Sequence, residues 1–271
     1  MILIAESGST KTDWRLIHND ESITSIRTIG LNPFIVNQQT IIDTLKSIKI
    51  PFEEVSHLYF YGAGCDGKEK TGWLANILAI FFVNTNIHVH SDLLASARAL
   101  LGTSKGVIGI LGTGSNVAYF DGTNIKPYTT SLGYLLGDEG SGNFLGKIFL
   151  THYMTDKLDD EIVAAVDADK RTILNELYSH SFPNRYLASY SKIIYGHKEH
   201  PQIKSIIREN FEAFIATSLL PFSINSISFT GSVAHFFSDE LKYCCARHNV
   251  SVVNVIEKPI SQLCNFHIEN K

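Results

Sequence analysis

The chain contains 271 residues, 44% of them hydrophobic and 18% charged, a balance that supports buried cores and excludes a largely disordered protein. Its formal net charge is -4, and no block of Lys and Arg occurs along it. A nucleic acid or an acidic membrane surface is therefore not expected as a partner, because both need a concentrated basic patch.

No segment of the sequence is typical of membrane insertion or export. The longest apolar run, residues 77–83, falls far short of the roughly 20 residues that span a bilayer, and residues 1–5 lack the features of a signal peptide. The four cysteines form no CxxC pair and have no histidine at metal-ligand spacing, which predicts reduced and buried thiols. The sequence thus predicts a soluble, cytoplasmic protein that does not bind a membrane.

In the first hundred residues, apolar strands alternate with helical segments. The predicted strands are residues 1–5, 12–18, 57–62 and 87–91. The predicted helices are residues 38–48, 73–82 and 92–101, the last of them capped by Ser91. The turn between the first two strands is rich in Ser, Gly and Thr, so these strands are expected to form a hairpin with many small hydrogen-bond donors in its loop.

The second half of the sequence repeats this design. Its predicted strands are residues 106–111, 116–120, 226–230 and 250–255, with a hairpin turn at Asp121-Gly122. Helical segments are predicted at residues 143–154, over much of the stretch to about residue 222, and at residues 232–243, before a short tail. Strands that alternate with helices predict the α/β class, and the interrupted pattern at residues 102–106 predicts a domain boundary near residue 105.

Two turns of small residues are candidates for binding phosphate. Residues 7–12 (Ser-Gly-Ser-Thr-Lys-Thr) and residues 112–115 (Gly-Thr-Gly-Ser) each follow an apolar strand. Glycine lets a phosphate approach the backbone, and small hydroxyls add donors without bulk. Either turn alone could be an ordinary hairpin loop, and the first is not a P-loop because a strand follows it. Two such turns in one chain are what two similar domains need to hold a polyphosphate from both sides.

Two carboxylates and an asparagine are candidates for the reaction itself, since phosphoryl transfer to an alcohol needs a proton acceptor and groups that position the acceptor. Asp92 lies where a strand meets a helix, and Asp138 lies in a Gly/Ser-flanked loop at a helix start. Each could instead be a carboxylate that only stabilises a helix N-terminus, and Asn32 beside Pro33 could be only a turn residue. The histidines are scattered, which argues against a histidine metal site.

A set of motifs occurs along the chain in a fixed order. They are Glu6-x-Gly8-x-Thr10-x-Thr12, Thr12-Asp13-Trp14, Gly30-Leu31-Asn32-Pro33, Tyr61-Gly62-Ala63-Gly64-Cys65, Ser91-Asp92, Leu111-Gly112-Thr113-Gly114-Ser115-Asn116, Leu136-Gly137-Asp138-Glu139-Gly140-Ser141-Gly142, Phe182-Pro183-Asn184-Arg185 and Gly231-Ser232. The first resembles the D-x-G-x-T-x-T phosphate-1 motif of the superfamily of acetate and sugar kinases, heat-shock ATPases and actin. Over essentially the whole chain, the ordered set resembles the bacterial N-acetylglucosamine kinase-like proteins, in the group that also contains the BadF/BadG/BcrA/BcrD ATPases.

The resemblance implies two ribonuclease-H-like (actin-like ATPase) domains, residues 1–105 and 106–271, around an interdomain cleft that binds ATP, Mg²⁺ and an amino sugar. The first domain is then expected to carry the phosphate-1 loop and the sugar site, and the second the phosphate-2 and adenosine sites. By similarity, the ATP-binding residues are Gly8, Ser9, Thr10, Lys11, Gly112, Thr113, Gly114, Ser115, Gly231 and Ser232. The sugar-binding residues are Asn32, Asp92, Gly133 and Asp138. Asp92 is also the implied catalytic base toward the 6-hydroxyl of the sugar, and Glu6 the implied Mg²⁺ residue.

The implied reaction is the ATP-dependent phosphorylation of an amino sugar, N-acetylglucosamine to its 6-phosphate. Glu6 stands where the family has aspartate, and its side chain reaches about one bond further, which changes how Mg²⁺ is held. Two alternatives stay open here: a nearly inactive sugar-sensing protein, which Glu6 motivates, and a BadF-type ATPase that activates a partner enzyme, although the paired cysteines of that branch are not seen. Proteins of this group are often homodimers, and the sequence leaves both the sugar and the oligomeric state open.

Overall fold

The computed structural model of the chain describes residues 1–8 and 10–270, which divide into two compact units. The first unit consists of Met1–Thr103 and the C-terminal stretch that begins at Pro259, and the second unit is Ser104–Lys258. The predicted division at residue 105 assigned every later residue to the second domain, and it differs from the structure for the C-terminal stretch. That stretch belongs to the first unit because its apolar residues pack against the first sheet.

The first unit is built on a five-stranded mixed sheet. Its strands are β1 Ile2–Ser7, β2 Lys11–Ile17, β3 Ile23–Ile29, β4 His57–Gly62 and β5 Asn86–Ser91. They are ordered β3-β2-β1-β4-β5, with β1, β2 and β3 antiparallel and with β4 and β5 parallel to β1. The carboxyl ends of β1, β4 and β5 therefore lie at one edge of the sheet, where the loops that follow them meet.

The second unit repeats this sheet. Its strands are β6 Gly106–Leu111, β7 Ser115–Phe120, β8 Ile125–Pro127, β9 Ser226–Thr230 and β10 Ser251–Ile256. They are ordered β10-β9-β6-β7-β8, with β6, β7 and β8 antiparallel and with β9 and β10 parallel to β6. The strand order of the first unit thus recurs in the second, and the predicted α/β fold with two ribonuclease-H-like domains is confirmed.

Helices cover both faces of the first sheet. They are α1 Gln38–Ser47, α2 Lys68–Leu78, α3 Asp92–Leu101 and, from the C-terminal stretch, α13 Ile260–Glu269. Helices α1 and α2 pack over Leu3, Ala5 and Trp14 on one face. Helices α3 and α13 cover Ile4 and Ile17 on the other face. Both faces of β1 are covered, which explains the continuous apolar run at residues 1–5.

The second unit is largely helical between β8 and β9. Its helices are α4 Gly133–Leu136, α5 Gly142–Met154, α6 Asp160–Val163, α7 Lys170–Ser179, α8 Pro183–Ser189, α9 Ser191–Gly196, α10 Pro201–Phe214, α11 Ser232–Phe236 and α12 Ser238–Arg247. A π-helical turn, Ile215–Leu219, continues α10. Four fully buried aromatic rings anchor the core of this unit, namely Phe149, Phe211, Phe214 and Phe229.

Three differences from the predicted elements have physical causes. Strand β3 was not predicted, because it lies at the edge of the sheet and most of its side chains are exposed, which weakens its apolar pattern. Helix α2 begins at Lys68 instead of residue 73, since its first turn is polar and exposed. The expected short tail is helix α13, whose buried residues Ile260, Leu263 and Cys264 recur at helical spacing.

The cysteines are buried and free, as predicted. Burial is the main cause that raises the pKa of each thiol, to about 12 for Cys65, Cys244 and Cys245 and to about 11 for Cys264. These thiols therefore stay protonated and unreactive at neutral pH. Within residues 1–8 and 10–270, no helix has both the length and the apolar character needed to cross a membrane.

Candidate active site

The phosphate-1 hairpin joins β1 to β2 and is held by two hydroxyl groups inside the fold. Ser7 and Thr12 are fully buried, and their hydroxyl oxygens lie 2.8 Å apart. Ser7 Oγ accepts the Leu31 backbone N–H at 2.9 Å, and Thr12 Oγ1 donates to the Ile29 carbonyl at 2.9 Å. These two hydroxyls of the motif are therefore structural, and they fix the hairpin to the turn that carries Asn32.

The tip of this hairpin is open. The Gly8 N–H donates to the Lys11 carbonyl at 3.0 Å, and a side chain at Gly8 would meet only this oxygen, at 3.9 Å, among the described residues. Thr10 and Lys11 are exposed. Ser9, which was also predicted to bind ATP, lies outside the described residues. Gly8, Thr10 and Lys11 thus lie on a firmly held hairpin, and their role in ATP binding stays a prediction.

Asn32 lies in the loop after β3 and contacts the loop after β4. Its side-chain oxygen accepts the Phe34 N–H at 2.9 Å. Gly64 has φ +80°, and a side chain there would lie 2.5 Å from Asn32 Oδ1 and 2.8 Å from the Phe34 ring. Only glycine permits both this backbone conformation and this approach. Two motifs that the sequence presents separately are therefore in contact.

Asp92 is the first residue of α3 and directly follows β5. Ser91 caps the helix as predicted, its hydroxyl accepting the Leu94 N–H at 3.4 Å. Burial, and after it the charge of Asp66, raise the pKa of Asp92 to about 6. A helix N-terminus by itself stabilises the anion and lowers the pKa of a carboxyl. A role in stabilising the helix N-terminus therefore does not account for the raised pKa of Asp92. A carboxylate with a pKa of about 6 is suited to accept a proton near neutral pH.

Asp66 belongs to the same group of side chains and was not predicted as a site residue. Burial raises its pKa, and the charges of Asp92 and Asp66 both contribute to the raised pKa of Cys65, which means that the three side chains are close together. Strands β4 and β5 are parallel neighbours with Gly62 opposite Ser91, so the residues that follow them meet at one edge. An acidic residue directly after the motif that ends at Cys65 is the sequence signal that could have identified Asp66.

In the second unit, the predicted phosphate-2 turn at residues 112–115 connects β6 to β7. The first N–H groups of α5 hold its carbonyls: Gly142 donates to Gly112 at 2.8 Å, and Asn143 donates to Thr113 at 3.1 Å. A side chain at Gly112 would meet no described atom within 4 Å. The turn is thus anchored on one side by a helix and open on the other, as a phosphate-binding turn requires.

Asp138 lies against this turn. Its carboxylate accepts the Ser115 N–H at 3.3 Å and the Asn143 side-chain N–H at 2.8 Å. A side chain at Gly114 would come within 3.1 Å of the same carboxylate. The candidate sugar residue and the phosphate-2 turn therefore form one hydrogen-bonded group. Asn143 links them, and no motif had singled it out.

The other predicted residues of the second unit lie near helix starts. Gly231 has φ +115°, and a side chain there would overlap the Leu111 carbonyl at the end of β6, so Gly231 adjoins the phosphate-2 turn. Ser232 is the exposed first residue of α11. Gly133 has φ +67° and begins α4, in the loop that leads to Asp138. The roles of these residues toward adenosine and sugar stay predictions.

The predicted metal residue, Glu6, lies near the carboxyl end of β1 and is partly buried. Mg²⁺ prefers oxygen ligands and is usually bound through one or two carboxylates together with substrate phosphates. The Glu6 carboxylate beside the phosphate-1 hairpin fits this donor set. Among the residues that the structure describes, no group of three or more His, Cys, Asp or Glu side chains could hold a metal by itself.

Comparison with solved structures identifies the family. A candidate N-acetylglucosamine kinase from Porphyromonas gingivalis is 34% identical to the chain, matches 100% of it and 99% of its own length, and has a TM-score of 0.94. The chain belongs to the N-acetylglucosamine kinase-like family. Membership in this family confirms the resemblance seen in the motifs and the predicted class of enzyme, a sugar kinase.

More distant structures share the fold of this family. A candidate N-acetylglucosamine kinase from Chromobacterium violaceum is 17% identical, with 98% of each chain covered and a TM-score of 0.68. A ROK family glucokinase from Streptomyces griseus, solved with glucose and AMPPNP, is 12% identical, with 98% of this chain and 97% of its own covered and a TM-score of 0.58. At these identities the likeness shows the fold alone. No protein-family profile and no curated protein sequence matches the chain.

Proposed function

We propose that the protein phosphorylates an amino sugar with ATP and Mg²⁺, and that the substrate is N-acetylglucosamine, phosphorylated at its 6-hydroxyl. The observation that carries the proposal is the setting of Asp92, a carboxylate at the edge of the first sheet whose pKa of about 6 suits a general base. Asn32, a candidate for binding the sugar, contacts the same group of loops. Membership in a family of sugar kinases supports the class of reaction.

In the first unit, Asp92 accepts the proton of the sugar hydroxyl while that oxygen attacks the γ-phosphorus of ATP, and the bond from this phosphorus to the bridging oxygen breaks to release ADP. The Asn32 side-chain oxygen is engaged by the Phe34 N–H, which leaves its amide N–H groups for a sugar hydroxyl. Glu6 would hold Mg²⁺, and the positive charge of that ion would offset the charge of the phosphates. In this scheme the protein positions the sugar hydroxyl and the phosphates, stabilises the charge of the phosphates and provides one proton acceptor, Asp92.

Phe34 supports an N-acetylated sugar as the substrate. Its ring is 71% exposed and lies against Gly64, next to Asn32. Sugar sites combine a few polar anchors with apolar surface, and an exposed ring beside a polar anchor suits the methyl group of an acetamido substituent. The geometry therefore favours N-acetylglucosamine over glucose.

In the second unit, the N–H groups of Gly112 and Ser115 donate to Gly114 and Asp138, so the other backbone N–H groups of the phosphate-2 turn bind ATP phosphates. Gly231 and Ser232 lie toward adenosine. The Asp138 carboxylate already accepts two hydrogen bonds, and its remaining lone pairs can accept one more from a sugar hydroxyl. Support for these roles comes from the open space at Gly112 and from the contact of Asp138 with the turn.

A sugar-dependent ADP assay tests the proposal. The purified protein, with ATP and Mg²⁺, is expected to release ADP in the presence of N-acetylglucosamine with a higher kcat/KM than with N-acetylmannosamine, glucosamine or glucose. The phosphorylated position is then read by NMR of the product. ADP release that does not depend on any of these sugars contradicts the proposal.

Asp92→Asn is expected to lower kcat by about 10²–10⁴-fold, because the amide cannot accept the proton of the sugar hydroxyl. The matched control is Asp239→Asn, since Asp239 is likewise an aspartate in the first turn of a ten-residue helix, α12, but is exposed. This control is expected to keep wild-type kcat. Equal rates for wild type and Asp92→Asn refute the base assignment.

The sugar-sensing and partner-activating alternatives are not favoured, because the full-length relative at 34% identity is a candidate kinase. A sensing protein is expected to bind N-acetylglucosamine in calorimetry without forming ADP. Turnover in the same preparation separates it from a kinase.

A further inference from the structure

Asp13 in β2 is a buried carboxylate that the proposed reaction does not use. Its side chain is 2% exposed, and its Oδ1 accepts the Arg27 Nε–H at 2.8 Å. Its Oδ2 is buried and has no hydrogen-bond partner within residues 1–8 and 10–270. Leaving a buried charged oxygen unpaired costs free energy, so such an atom points to a ligand.

Strand pairing places Asp13 beside Glu6. The two residues are direct partners in the antiparallel pair of β1 and β2. Directly opposite residues project from the same face of a sheet, with Cβ atoms about 4.5–5.5 Å apart. Carboxylates on directly opposite residues repel each other, and a cation that both contact removes the repulsion.

The neighbouring strands define the surroundings of this pair. Arg27 of β3 is the partner of Asp13 on one side, and Tyr61 of β4 is the partner of Glu6 on the other. Arg27 engages only Oδ1, so it fixes the orientation of the carboxylate and leaves Oδ2 for a ligand. Hydrogen-bonded partners commonly orient metal-binding carboxylates in this way.

We propose that Asp13 and Glu6 together bind the divalent cation at the base of the phosphate-1 hairpin, with Asp13 Oδ2 as a ligand either directly or through one water. The inference rests on the proposed function in one respect, which is that phosphates of the nucleotide complete the coordination. Two carboxylates plus phosphates is a donor set that Mg²⁺ commonly takes. With Asp13 opposite, the longer side chain of Glu6 does not position the ion alone.

Binding of Mn²⁺, a paramagnetic substitute for Mg²⁺, tests this site by electron paramagnetic resonance with ADP present and sugar absent. For Asp13→Asn, the Kd of Mn²⁺ is expected to rise by about tenfold or more, as it is for Glu6→Gln. Asp43→Asn is the charge control, because Asp43 is an exposed carboxylate of α1 that accepts a hydrogen bond from Gln39. It is expected to change the Kd by less than about twofold.

A second control separates the ion pair from the metal role. Arg27→Met removes the partner of Oδ1 and keeps both carboxylates, so it is expected to weaken Mn²⁺ binding less than Asp13→Asn does. Equal weakening by Asp13→Asn and Arg27→Met overturns the inference, because the ion pair would then be the cause.

Two variants at position 13 whose side chains have the same length provide a further comparison in case Asp13→Asn does not fold. Asp13→Glu keeps a carboxylate and is expected to bind Mn²⁺ measurably more tightly than Asp13→Gln. Circular dichroism establishes that both are folded. Equal Mn²⁺ affinity in these two variants overturns the inference.

The two proposals fail in different ways. Mn²⁺ binding with ADP needs neither sugar nor turnover, so a protein that does not phosphorylate sugars can still show the two-carboxylate site. Wild-type Mn²⁺ affinity in a folded Asp13→Asn variant overturns the metal role of Asp13 and leaves sugar phosphorylation untouched.

Discussion

Asp92 occupies the first turn of α3, where a helix N-terminus normally stabilises a carboxylate as the anion. Burial and the charge of Asp66 act in the opposite direction and raise its pKa to about 6. A general base works only when it is deprotonated, so kcat/KM is expected to fall as the pH decreases through about 6. At the scale of single residues, the surroundings of this side chain thus define the working pH of the proposed kinase.

Asp66→Asn is expected to shift the fall of kcat/KM to lower pH, because removing a neighbouring negative charge lowers the pKa of Asp92. The measurement is kcat/KM for N-acetylglucosamine between about pH 5 and about pH 8 at constant ionic strength. Asp43→Asn, which changes an exposed carboxylate of α1, is expected to keep the wild-type pH profile of kcat/KM. If the fall of kcat/KM occurs at the same pH in Asp66→Asn as in wild type, Asp66 does not act on the base.

At the scale of elements, α5 connects the core of the second unit to its phosphate-2 turn. Its N-terminal N–H groups hold the turn through Gly142 and Asn143. One turn further on, Gly146 is buried against α8, and a side chain there would overlap the Leu187 carbonyl oxygen. The close approach of the two helices therefore positions the start of α5 and, with it, the turn.

Gly146→Ala is expected to destabilise the protein by about 1–3 kcal/mol, because the added methyl group forces α5 and α8 apart. Urea unfolding followed by circular dichroism measures the effect. The KM for ATP is expected to rise in the same variant, since the turn moves with α5.

Gly72→Ala is the matched control for helix propensity. Gly72 is an exposed interior residue of α2, and a side chain there would meet no described atom within 4 Å. This variant is expected to be more stable than wild type by about 0.5–1 kcal/mol, because alanine favours the helix. Equal destabilisation in both variants contradicts the role given to the α5–α8 contact.

At the scale of the whole molecule, the chain leaves the first unit and returns to it with α13. The returning helix buries His267, whose Nε2 lies 2.8 Å from the Tyr61 hydroxyl. Burial, and after it the charge of Arg98, lower the pKa of His267 to about 3. The same causes lower the pKa of His90, which lies in β5 beside the strand of Tyr61, to about 4.

These two histidines make the first unit sensitive to acid. A histidine in the unfolded chain takes up a proton near pH 6.5, whereas these two stay neutral in the native state until a much lower pH. The unfolded state therefore binds more protons below pH 6.5, and the free energy of unfolding is expected to fall from about pH 6.5 toward about pH 3–4, by up to about 1.4 kcal/mol per pH unit for each group. Above pH 6.5 they contribute no pH dependence.

Tryptophan fluorescence measures this effect in the first unit alone, because both tryptophans of the chain, Trp14 and Trp73, lie there. The urea midpoint is expected to decrease with pH in this range, and less steeply in His267→Gln. His235→Gln, which changes an exposed histidine of α11 in the second unit, is expected to keep the wild-type slope. An unchanged slope in His267→Gln refutes the role of that buried ring.

Much of the fold was predictable because its signals are local. Strands β4, β6 and β9 and helix α3 have the predicted bounds, since apolar runs, helical spacing and a serine cap are read within a few residues. The family motifs likewise indicated the candidate residues of the site, among them Asn32, Asp92 and Asp138. The edge strand β3, most of it exposed, carried too weak a pattern to be identified.

By itself, the sequence determined the fold class, the position of the two turns of small residues and the family, because these depend on residue types at short spacing. The tertiary structure alone decided that α13 joins the first unit, that Asp138 meets the phosphate-2 turn, and that Asp13 lies opposite Glu6. It also decided the raised pKa of Asp92. Pairing register, burial and neighbouring charge depend on which distant segments fold against one another, and no local pattern records that.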